Sequence, residues 1–296
     1  RSYARLEIVY GAEMTVETRE LRDRYIALVK DALTFSLWPQ PPVPVSTLDP
    51  SLYAPSKRLV LEALRATSRS MEAKGFEIVK NLEAAESELE NGLVWPNYGD
   101  TMIGRKRMDN LQYCVETVIQ KDVPGDLIET GVWRGGACIF MRAILAAYGV
   151  TDRTVFVADS FEGLPPPDPS YPVDAGDPHH ERSQLEIGLE TVKQNFSRYG
   201  LLDDQVVFLK GWFSDTLPTA PIDEIAVLRL DGDMYGSMMD GLNSLHPKLS
   251  IGGFLIIDDY NLKTCRAAIS DYREAHGITA EITDIDGSGA YWQKAS

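Results

Sequence analysis

The chain has 296 residues, of which 44% are hydrophobic and 25% are charged, as is typical of a globular domain with a substantial core. Its net charge of −15 argues against nucleic acid or an anionic membrane as a partner, because both attract clustered lysine and arginine. No apolar run approaches the ~18 residues of a membrane span, and no signal-peptide pattern opens the chain, so we expect a cytoplasmic protein. The three cysteines are too few and too scattered for a zinc site or a disulfide framework, which predicts buried free thiols.

The first 94 residues are predicted to form an N-terminal helical extension that precedes a domain over residues 95–296. Helical spacing of apolar residues predicts helices over residues 3–36 and 55–91. Between them, the proline-rich segment 39–45 must be extended. A leading extension of this kind packs beside a catalytic sheet as a lid or as a dimer surface, and a solvated helical arm is an equal alternative.

The segment 126–138 predicts a short buried strand, a glycine-rich turn and a helix, which together typically bind a nucleotide-like ligand. The spacing Glu-Thr-Gly-x-x-x-Gly-Gly differs from the Gly-x-Gly-x-x-Gly of hydride-transfer enzymes, so a nicotinamide cofactor is disfavoured. Glu129, before the first glycine, repels a pyrophosphate but attracts a cation such as the amino group of S-adenosylmethionine. A tight turn in an ordinary α/β domain is the alternative.

Further cofactor contacts are predicted at the ends of the following strands. Asp159 follows the strand 154–158 and can accept both ribose hydroxyls, while Phe161 can cover an adenine face. Gly211 and Trp212 follow a strand over 205–210, near the expected position of the base. The small and apolar residues Thr101, Met102 and Ile103 can fold over the methionine tail. Ordinary core packing is the alternative for each of these residues.

A long irregular segment, residues 165–182, contains six prolines and adjoins the predicted active edge. Long loops in such a position are commonly substrate lids. Its adjacent histidines, His179 and His180, can serve as ligands or bases, although exposed loop histidines without a role are the more common case. A helix near residues 184–199 follows.

Four carboxylates follow two buried strands. The strand 225–230 leads into Asp231 and Asp233, and the strand 253–257 leads into Asp258 and Asp259. Consecutive parallel strands bring their carboxyl ends to one edge, so these side chains are expected to converge. Such a concentration of negative charge calls for a cation, and oxygen ligands suit Mg²⁺, Mn²⁺ or Ca²⁺ rather than Zn²⁺. Helix capping or turn formation explains one carboxylate but not four.

A divalent ion held by Asp231, Asp258 and Asp259 leaves positions for acceptor oxygens, for which adjacent hydroxyls fit best. A nearby carboxylate, Asp231 or Asp233, can then take the hydroxyl proton. A helix over 262–275, a strand near 280–283 and a last, antiparallel strand over 289–293 complete the domain. The fold class is therefore α/β, with a doubly wound, mostly parallel sheet.

Taken together, several motifs resemble the macrocin O-methyltransferase (TylF-type) family. They are Thr101–Gly104, residues 128–137, Ala158–Gly163, 198–204, 211–213, 230–233, 258–260 and 289–292. The resemblance covers about residues 95–296, whereas residues 1–90 and the segment 165–183 depart from the family pattern. It implies a seven-stranded, Rossmann-like class I methyltransferase that is Mg²⁺-dependent, usually oligomeric, and active on sugar hydroxyls in antibiotic biosynthesis.

Carried over to this chain, the resemblance implies S-adenosylmethionine and Mg²⁺ (or Mn²⁺) as cofactors and a small hydroxylated acceptor as partner. Metal binding is assigned to Asp231, Asp258 and Asp259, and Asp231 is also a candidate base. The full set of predicted cofactor-binding residues is Thr101, Met102, Ile103, Glu129, Thr130, Gly131, Gly135, Asp159, Ser160, Phe161, Gly211, Trp212 and Asp231.

We therefore predict a metal-dependent O-methyltransferase acting on a natural product. Two alternatives stay open at this point. One is a methyltransferase for catechol-type diols, for which Trp38, Tyr53, Trp95 and Tyr98 would form an aromatic acceptor slot. The other is a non-catalytic S-adenosylmethionine-binding module in a larger biosynthetic assembly, which the retained carboxylate cluster disfavours.

Overall fold

The structure is a computed structural model that describes residues 16–50, 53–81 and 85–295. Its first helix, α1 (Val16–Leu33), ends at residue 33 rather than at the predicted residue 36, and the part of the prediction before residue 16 lies outside the described residues. Residues 82–84 of the predicted second helix lie outside them too. The three cysteines are buried and free, as predicted.

The predicted helix over 55–91 is wrong in its second half. Helix α2 (Pro55–Glu72) ends early, and Gly75 follows with a φ of 81°, a conformation that favours glycine and takes the chain out of the helix. The chain then forms the short strand β2 (Val79–Lys80), antiparallel to β1 (Val43–Pro44), and the helix α3 (Glu86–Glu90). The proline-rich segment is therefore extended where it forms β1.

Seven strands form the main sheet in the order β5-β4-β3-β6-β7-β9-β8, and this arrangement confirms the predicted doubly wound fold. Strands β3 to β7 pair in parallel, and β9 runs antiparallel to β7. The strand predicted near 280–283 lies slightly later, at 283–284. The strands are β3 (Asp126–Thr130), β4 (Val155–Asp159), β5 (Val206–Lys210), β6 (Ile225–Leu230), β7 (Leu249–Ile257), β8 (Thr283–Asp284) and β9 (Ala290–Gln293).

Helices cover both faces of this sheet because successive side chains of a buried strand point to opposite faces. The helices are α4 (Gly104–Gln120), α5 (Gly136–Ala147), α6 (Leu189–Arg198), α7 (Phe213–Thr216), α8 (Tyr235–Leu245) and α9 (Lys263–His276). Leu127 packs into the core beneath α1, α4, α5 and α6, whereas Ile128 packs into the core beneath α8 and α9. None of the described helices combines the length and apolar character needed to cross a membrane.

The register of the parallel strands fixes where the site lies. Thr130 at the end of β3 is level with Ala158 of β4 and with Leu230 of β6, and Leu230 is level with Ile257 of β7. The residues that follow these four positions therefore meet at one edge. The chain order reverses between β3 and β6, and open α/β sheets bind ligands in the crevice at such a switch point.

Candidate active site

A cavity of about 940 Å³ opens at this edge of the sheet, within the size range of small-molecule sites. It lies at the switch point between β3 and β6, beneath the long segment that follows β4. Many of the predicted site residues line it: Met102, Gly131, Asp159, Ser160, Gly211, Trp212, Asp231, Asp233, Asp258 and Asp259. The residues predicted to bind S-adenosylmethionine and those predicted to bind the metal thus line the same cavity.

The turn after β3 allows two backbone segments to approach closely. Gly131 has a φ of 83°, and a Cβ atom there would lie 1.8 Å from the carbonyl oxygen of Asp231. Only glycine fits between the ends of β3 and β6. The Asp159 carboxylate accepts hydrogen bonds from the backbone N–H groups of Val132 and Phe161, at 2.8 and 2.7 Å. Its Oδ1 also lies 3.4 Å from the Ser160 hydroxyl, and because the carboxylate lines the cavity it can accept a ribose hydroxyl there.

Other predicted cofactor residues lie behind the cavity wall rather than on it: Thr101, Ile103, Glu129, Thr130, Gly135 and Phe161. Phe161 packs in the core, with its ring 6.3 Å from that of Phe208. Glu129 is buried between Arg229 and the thiol of Cys138, whose sulfur lies 2.9 Å from Oε2. The partner of this carboxylate is thus a guanidinium of the protein itself.

Carboxylates from two adjacent strand ends form a compact cluster. Single oxygens of Asp231, Asp233 and Asp259 lie within 4.8 Å of one another. Asp233 adopts the left-handed region at a φ of 54°, and its carbonyl accepts hydrogen bonds from Thr264 and Cys265 at the start of α9. Three converging carboxylate oxygens suit Mg²⁺ or Mn²⁺, so the donor set fits the implied metal.

Asp258, the third predicted metal ligand, is engaged by two arginines instead of lying in that compact set. Its Oδ2 is 2.7 Å from Nη1 of Arg107, and its Oδ1 accepts a hydrogen bond from Arg229. Arg229 is 1% exposed and also contacts Glu129 and Asp231, the latter at 3.2 Å. A single buried cation therefore joins carboxylates from the ends of β3, β6 and β7. The otherwise apolar run of β6 predicts a buried strand and gave no sign of this role for Arg229.

Burial and mutual repulsion perturb the acids of the cluster. Desolvation, together with the charge of Asp231, raises the pKa of Asp233 to about 7. Desolvation and the nearby Asp258 raise the pKa of Asp231 well above its ordinary value, and the same causes act on the pKa of Asp259. Burial alone would raise the pKa of Asp258 too, but Arg107 and Arg229 outweigh it and hold that pKa low.

Residues 165–188, called the lid from here on, cover the cavity and are anchored on both sides. Asp174, which is 1% exposed, accepts hydrogen bonds from the backbone N–H groups of Tyr235 (2.7 Å) and Gly236 (3.1 Å), at the start of α8. The indole N–H of Trp133 donates to the carbonyl of Gln184 at 2.9 Å. Neither anchor was predicted, although an acid capping a helix N-terminus is a recognisable pairing once the two segments are known to meet.

Aromatic side chains form part of the cavity wall, but mostly not those predicted. Trp95 lines the cavity as expected, together with Trp133, Tyr171 and Trp212. Trp38 and Tyr98 instead pack against Phe35, with ring centroids 5.2 and 5.4 Å away. Tyr53 lies against Lys80. The predicted slot therefore exists only in part.

The doubly wound sheet, the glycine turn after β3 and the acids at successive strand ends define a class I methyltransferase, a fold that implies S-adenosylmethionine as the methyl donor. The sequence model of the macrocin-O-methyltransferase (TylF) family matches residues 22–294. The chain belongs to this family and is an O-methyltransferase. The match begins well before residue 95, so the prediction that residues 1–90 depart from the family pattern is wrong from residue 22 onward.

Relatives of known activity are O-methyltransferases. Mycinamicin III 3''-O-methyltransferase of Micromonospora griseorubida is 55% identical over 215 residues, covering 71% of this chain and 85% of the relative. An 8-demethyl-8-(2,3-dimethoxy-alpha-L-rhamnosyl)-tetracenomycin-C 4'-O-methyltransferase of Streptomyces olivaceus is 58% identical over 204 residues, covering 68% and 78%. Demethyldecarbamoylnovobiocin O-methyltransferase of Streptomyces niveus is 53% identical over 214 residues, covering 71% and 81%.

Among solved structures, the O-methyltransferase NovP superposes with a TM-score of 0.76 at 41% identity, covering 93% of this chain and all of NovP. The fold of the chain is therefore that of a known O-methyltransferase over nearly its whole length.

Proposed function

We propose that the chain transfers a methyl group from S-adenosylmethionine to a hydroxyl of a natural product, a sugar or a related polyketide or peptide scaffold, with the help of Mg²⁺ or Mn²⁺. The carboxylate cluster of Asp231, Asp233 and Asp259 carries this proposal, because it shares a cavity with the donor-side residues Gly131 and Asp159. The three relatives support the acceptor class, since each is named for methylation of an antibiotic or its glycoside.

In this proposal Asp231, Asp233 and Asp259 hold the metal, and Arg107 and Arg229 keep Asp258 in place beside them. A bound divalent ion would supply positive charge that favours the ionised form of an acceptor hydroxyl. Asp231 or Asp233 accepts the hydroxyl proton.

The donor and the acceptor would meet beneath the lid. Gly131 and Asp159 hold the nucleoside part of the donor, and the cavity aromatics provide apolar walls for the acceptor. As the hydroxyl oxygen forms its bond to the methyl carbon, the carbon–sulfur bond breaks and its electron pair stays on sulfur. The lid excludes water from this exchange. A cytoplasmic location stays our prediction.

The test is methyl transfer from labelled S-adenosylmethionine to four acceptors: mycinamicin III, demethyldecarbamoylnovobiocin, the rhamnosyl tetracenomycin C of the relative, and catechol. Each reaction is run with Mg²⁺, with EDTA, and with an Asp231→Asn/Asp259→Asn double variant. We expect transfer to a glycosylated acceptor that both EDTA and the double variant abolish. Asp240→Asn, a cavity carboxylate outside the cluster, is the matched control and should keep its activity.

Two outcomes would contradict the proposal. Transfer that survives both EDTA and the double variant removes the metal from the mechanism. Preferential methylation of catechol supports the alternative acceptor class, which the aromatic wall of Trp95, Trp133, Tyr171 and Trp212 also suits.

We further propose that the chain forms a homo-oligomer through α1. Ile26, Val29 and Leu33 bury one face of this helix, which packs against α5. On the other side, Leu21 and Leu28 are 63% and 55% exposed although both are large and apolar. They lie seven residues apart on one stripe of the helix, which leaves an apolar surface that a second copy can cover.

A further inference from the structure

The lid holds one histidine over the cavity in a fixed position. His179 lines the cavity and lies between the two lid anchors, Asp174 at the start of α8 and Gln184 at Trp133. Backbone hydrogen bonds within the lid connect Asp177 to Asp174 and Arg182 to His179, at 3.1 and 3.0 Å. The position of the imidazole relative to the carboxylate cluster is thus set by the fold.

Asp177 orients this imidazole. One oxygen of its carboxylate lies 2.7 Å from Nδ1 of His179 and also accepts the backbone N–H of His179 at 2.8 Å. An ionised carboxylate can only accept hydrogen bonds, so the proton of a neutral imidazole resides on Nδ1. Nε2 is then left with a free lone pair, and this atom is an acceptor of hydrogen bonds rather than a donor.

The neighbouring His180 has different surroundings. Its Nδ1 lies 3.0 Å from the backbone carbonyl of Asp177, and its Nε2 lies 3.9 Å from the exposed carboxylate of Glu181. It is not among the residues that line the cavity. Of the two adjacent histidines, therefore, only His179 lines the cavity, and His180 serves as an internal control.

We propose that His179 binds the acceptor by accepting, at Nε2, a hydrogen bond from a hydroxyl next to the one that is methylated. This inference rests on the proposed function, because it requires an acceptor with neighbouring hydroxyls. The carboxylate cluster at the sheet edge handles the reacting hydroxyl, and the lid imidazole, which lines the same cavity, contacts the neighbouring hydroxyl. His179 thereby selects acceptors that present a second hydroxyl donor.

The first arm of the test needs no turnover. Nitrogen NMR of the histidine rings at about pH 8, where an ordinary imidazole is neutral, reports which ring nitrogen carries the proton. The His179 signals are assigned by their loss in His179→Gln. We expect the proton on Nδ1, and a shift of the Nε2 signal when mycinamicin III or the rhamnosyl tetracenomycin C is added. A proton on Nε2 overturns the proposal.

The second arm compares two substitutions that keep different parts of the ring. His179→Asn places an amide near Nδ1 and keeps the contact with Asp177, but leaves nothing at Nε2. His179→Gln places an amide oxygen near Nε2. With the best acceptor of the panel, we expect His179→Asn to raise KM about tenfold with kcat within about twofold, and His179→Gln to recover most of that loss. Affinity for S-adenosylmethionine, measured by calorimetry, should not change.

The outcomes separate this inference from the proposed function. If the unaltered protein methylates no panel compound, the proposed acceptor class fails, while the NMR arm still decides the state of His179. If methylation occurs but His179→Asn behaves like His180→Asn, or if both His179 variants lose kcat equally, the imidazole does not bind the acceptor as proposed.

Discussion

At the scale of single residues, the aspartates of the site differ in whether an arginine of the protein is paired with them. Asp258 is paired with Arg107 and Arg229, whereas Asp233 and Asp259 face other carboxylates. A buried charge without a partner is costly, and removing one partner of a buried pair is costly as well. Adjacent aspartates in one sequence motif are therefore expected to respond in opposite ways to the same substitution.

Asp258→Asn should destabilise the protein by about 3 kcal/mol, because it leaves two buried guanidinium groups with less compensation. Asp259→Asn should instead stabilise the metal-free protein, since it relieves repulsion among the clustered carboxylates. Urea unfolding in EDTA measures both effects, and Mg²⁺ titration by calorimetry should show the larger loss of affinity for Asp259→Asn. If Asp258→Asn alone abolishes Mg²⁺ binding without a loss of stability, Asp258 is a ligand and the arginines are not its main partners.

The pKa of Asp233, raised to about 7, predicts a pH dependence of stability. Between about pH 4 and 7 the folded state binds a proton that the unfolded state has released, so this residue makes the metal-free protein less stable as pH rises through that window. Thermal unfolding in EDTA should therefore lose less stability between pH 5 and 7.5 in Asp233→Asn than in the unaltered protein. Parallel pH profiles for the two proteins would show that Asp233 is already ionised at low pH.

A substitution at Gly131 tests how closely the backbone at the end of β3 approaches that at the end of β6. A Cβ at this position would lie 1.8 Å from the carbonyl oxygen of Asp231, whereas a Cβ added at Gly149, which has a similar φ of 67°, would meet no atom of a packed neighbour within 4 Å. Gly149→Ala should cost about 1 kcal/mol, the price of a side chain in the left-handed region alone. Gly131→Ala should cost several times more and abolish S-adenosylmethionine binding, as measured by unfolding and calorimetry. Equal effects of the two substitutions would refute the steric argument.

The sequence predicted which strand ends carry these residues, but it did not predict all of their side-chain partners. The strand ends and glycines follow from local patterns, which is why Gly131, Asp159 and the four aspartates were found and do share one cavity. The partner of Glu129 depends on which strand lies beside β3, and that pairing joins residues 100 positions apart in sequence. Phe161 was placed at the cavity by its position after β4, but its left-handed backbone, at a φ of 57°, turns the ring into the core.

At the scale of elements, the lid and α8 behave as one unit because Asp174 caps that helix. Helix α8 follows directly after the segment that carries Asp231 and Asp233. An element that covers the acceptor is thus tied to the element that positions the carboxylates. Local patterns predicted the lid as an irregular segment, but its anchor lies about 60 residues further along the chain and leaves no local signal.

Asp174→Ala should remove the cap and release the lid. The expected loss of stability is about 1 kcal/mol, typical of a lost N-cap, together with faster proteolytic cleavage within residues 165–188. KM for the acceptor should rise while S-adenosylmethionine affinity is kept. Glu181→Ala, an exposed lid acid with a side chain 75% accessible, is the control and should leave all three quantities unchanged. An unchanged cleavage rate in Asp174→Ala would mean that the lid is held elsewhere.

At the scale of the whole molecule, the acidic surface opposes self-association, whereas the exposed apolar stripe of α1 favours it. A net charge of −15 keeps copies apart, so any self-association needs a local apolar contact strong enough to overcome that repulsion. Leu21 and Leu28 offer one. Association through them should also become stronger as salt screens the repulsion between the acidic surfaces.

A Leu21→Glu/Leu28→Glu double variant should shift the protein towards the monomer without unfolding it, because both side chains point away from the core that α1 shares with α5. Sedimentation velocity at low and at moderate salt measures the distribution of species. The unaltered protein should show a larger oligomer fraction at moderate salt. Identical sedimentation of the two proteins at both salt concentrations would assign any oligomer to another surface.

Arg229 also has a consequence for how relatives of this chain can diverge. Its guanidinium reaches carboxylates at positions 129, 231 and 258 through two separate nitrogens, whereas the donors of a lysine all lie on one nitrogen and do not reproduce this span. A relative that replaces Arg229 should therefore also have lost a carboxylate at 129 or 258, so that these positions are inherited as a set. An alignment in which they vary independently would show that the shared cation is dispensable.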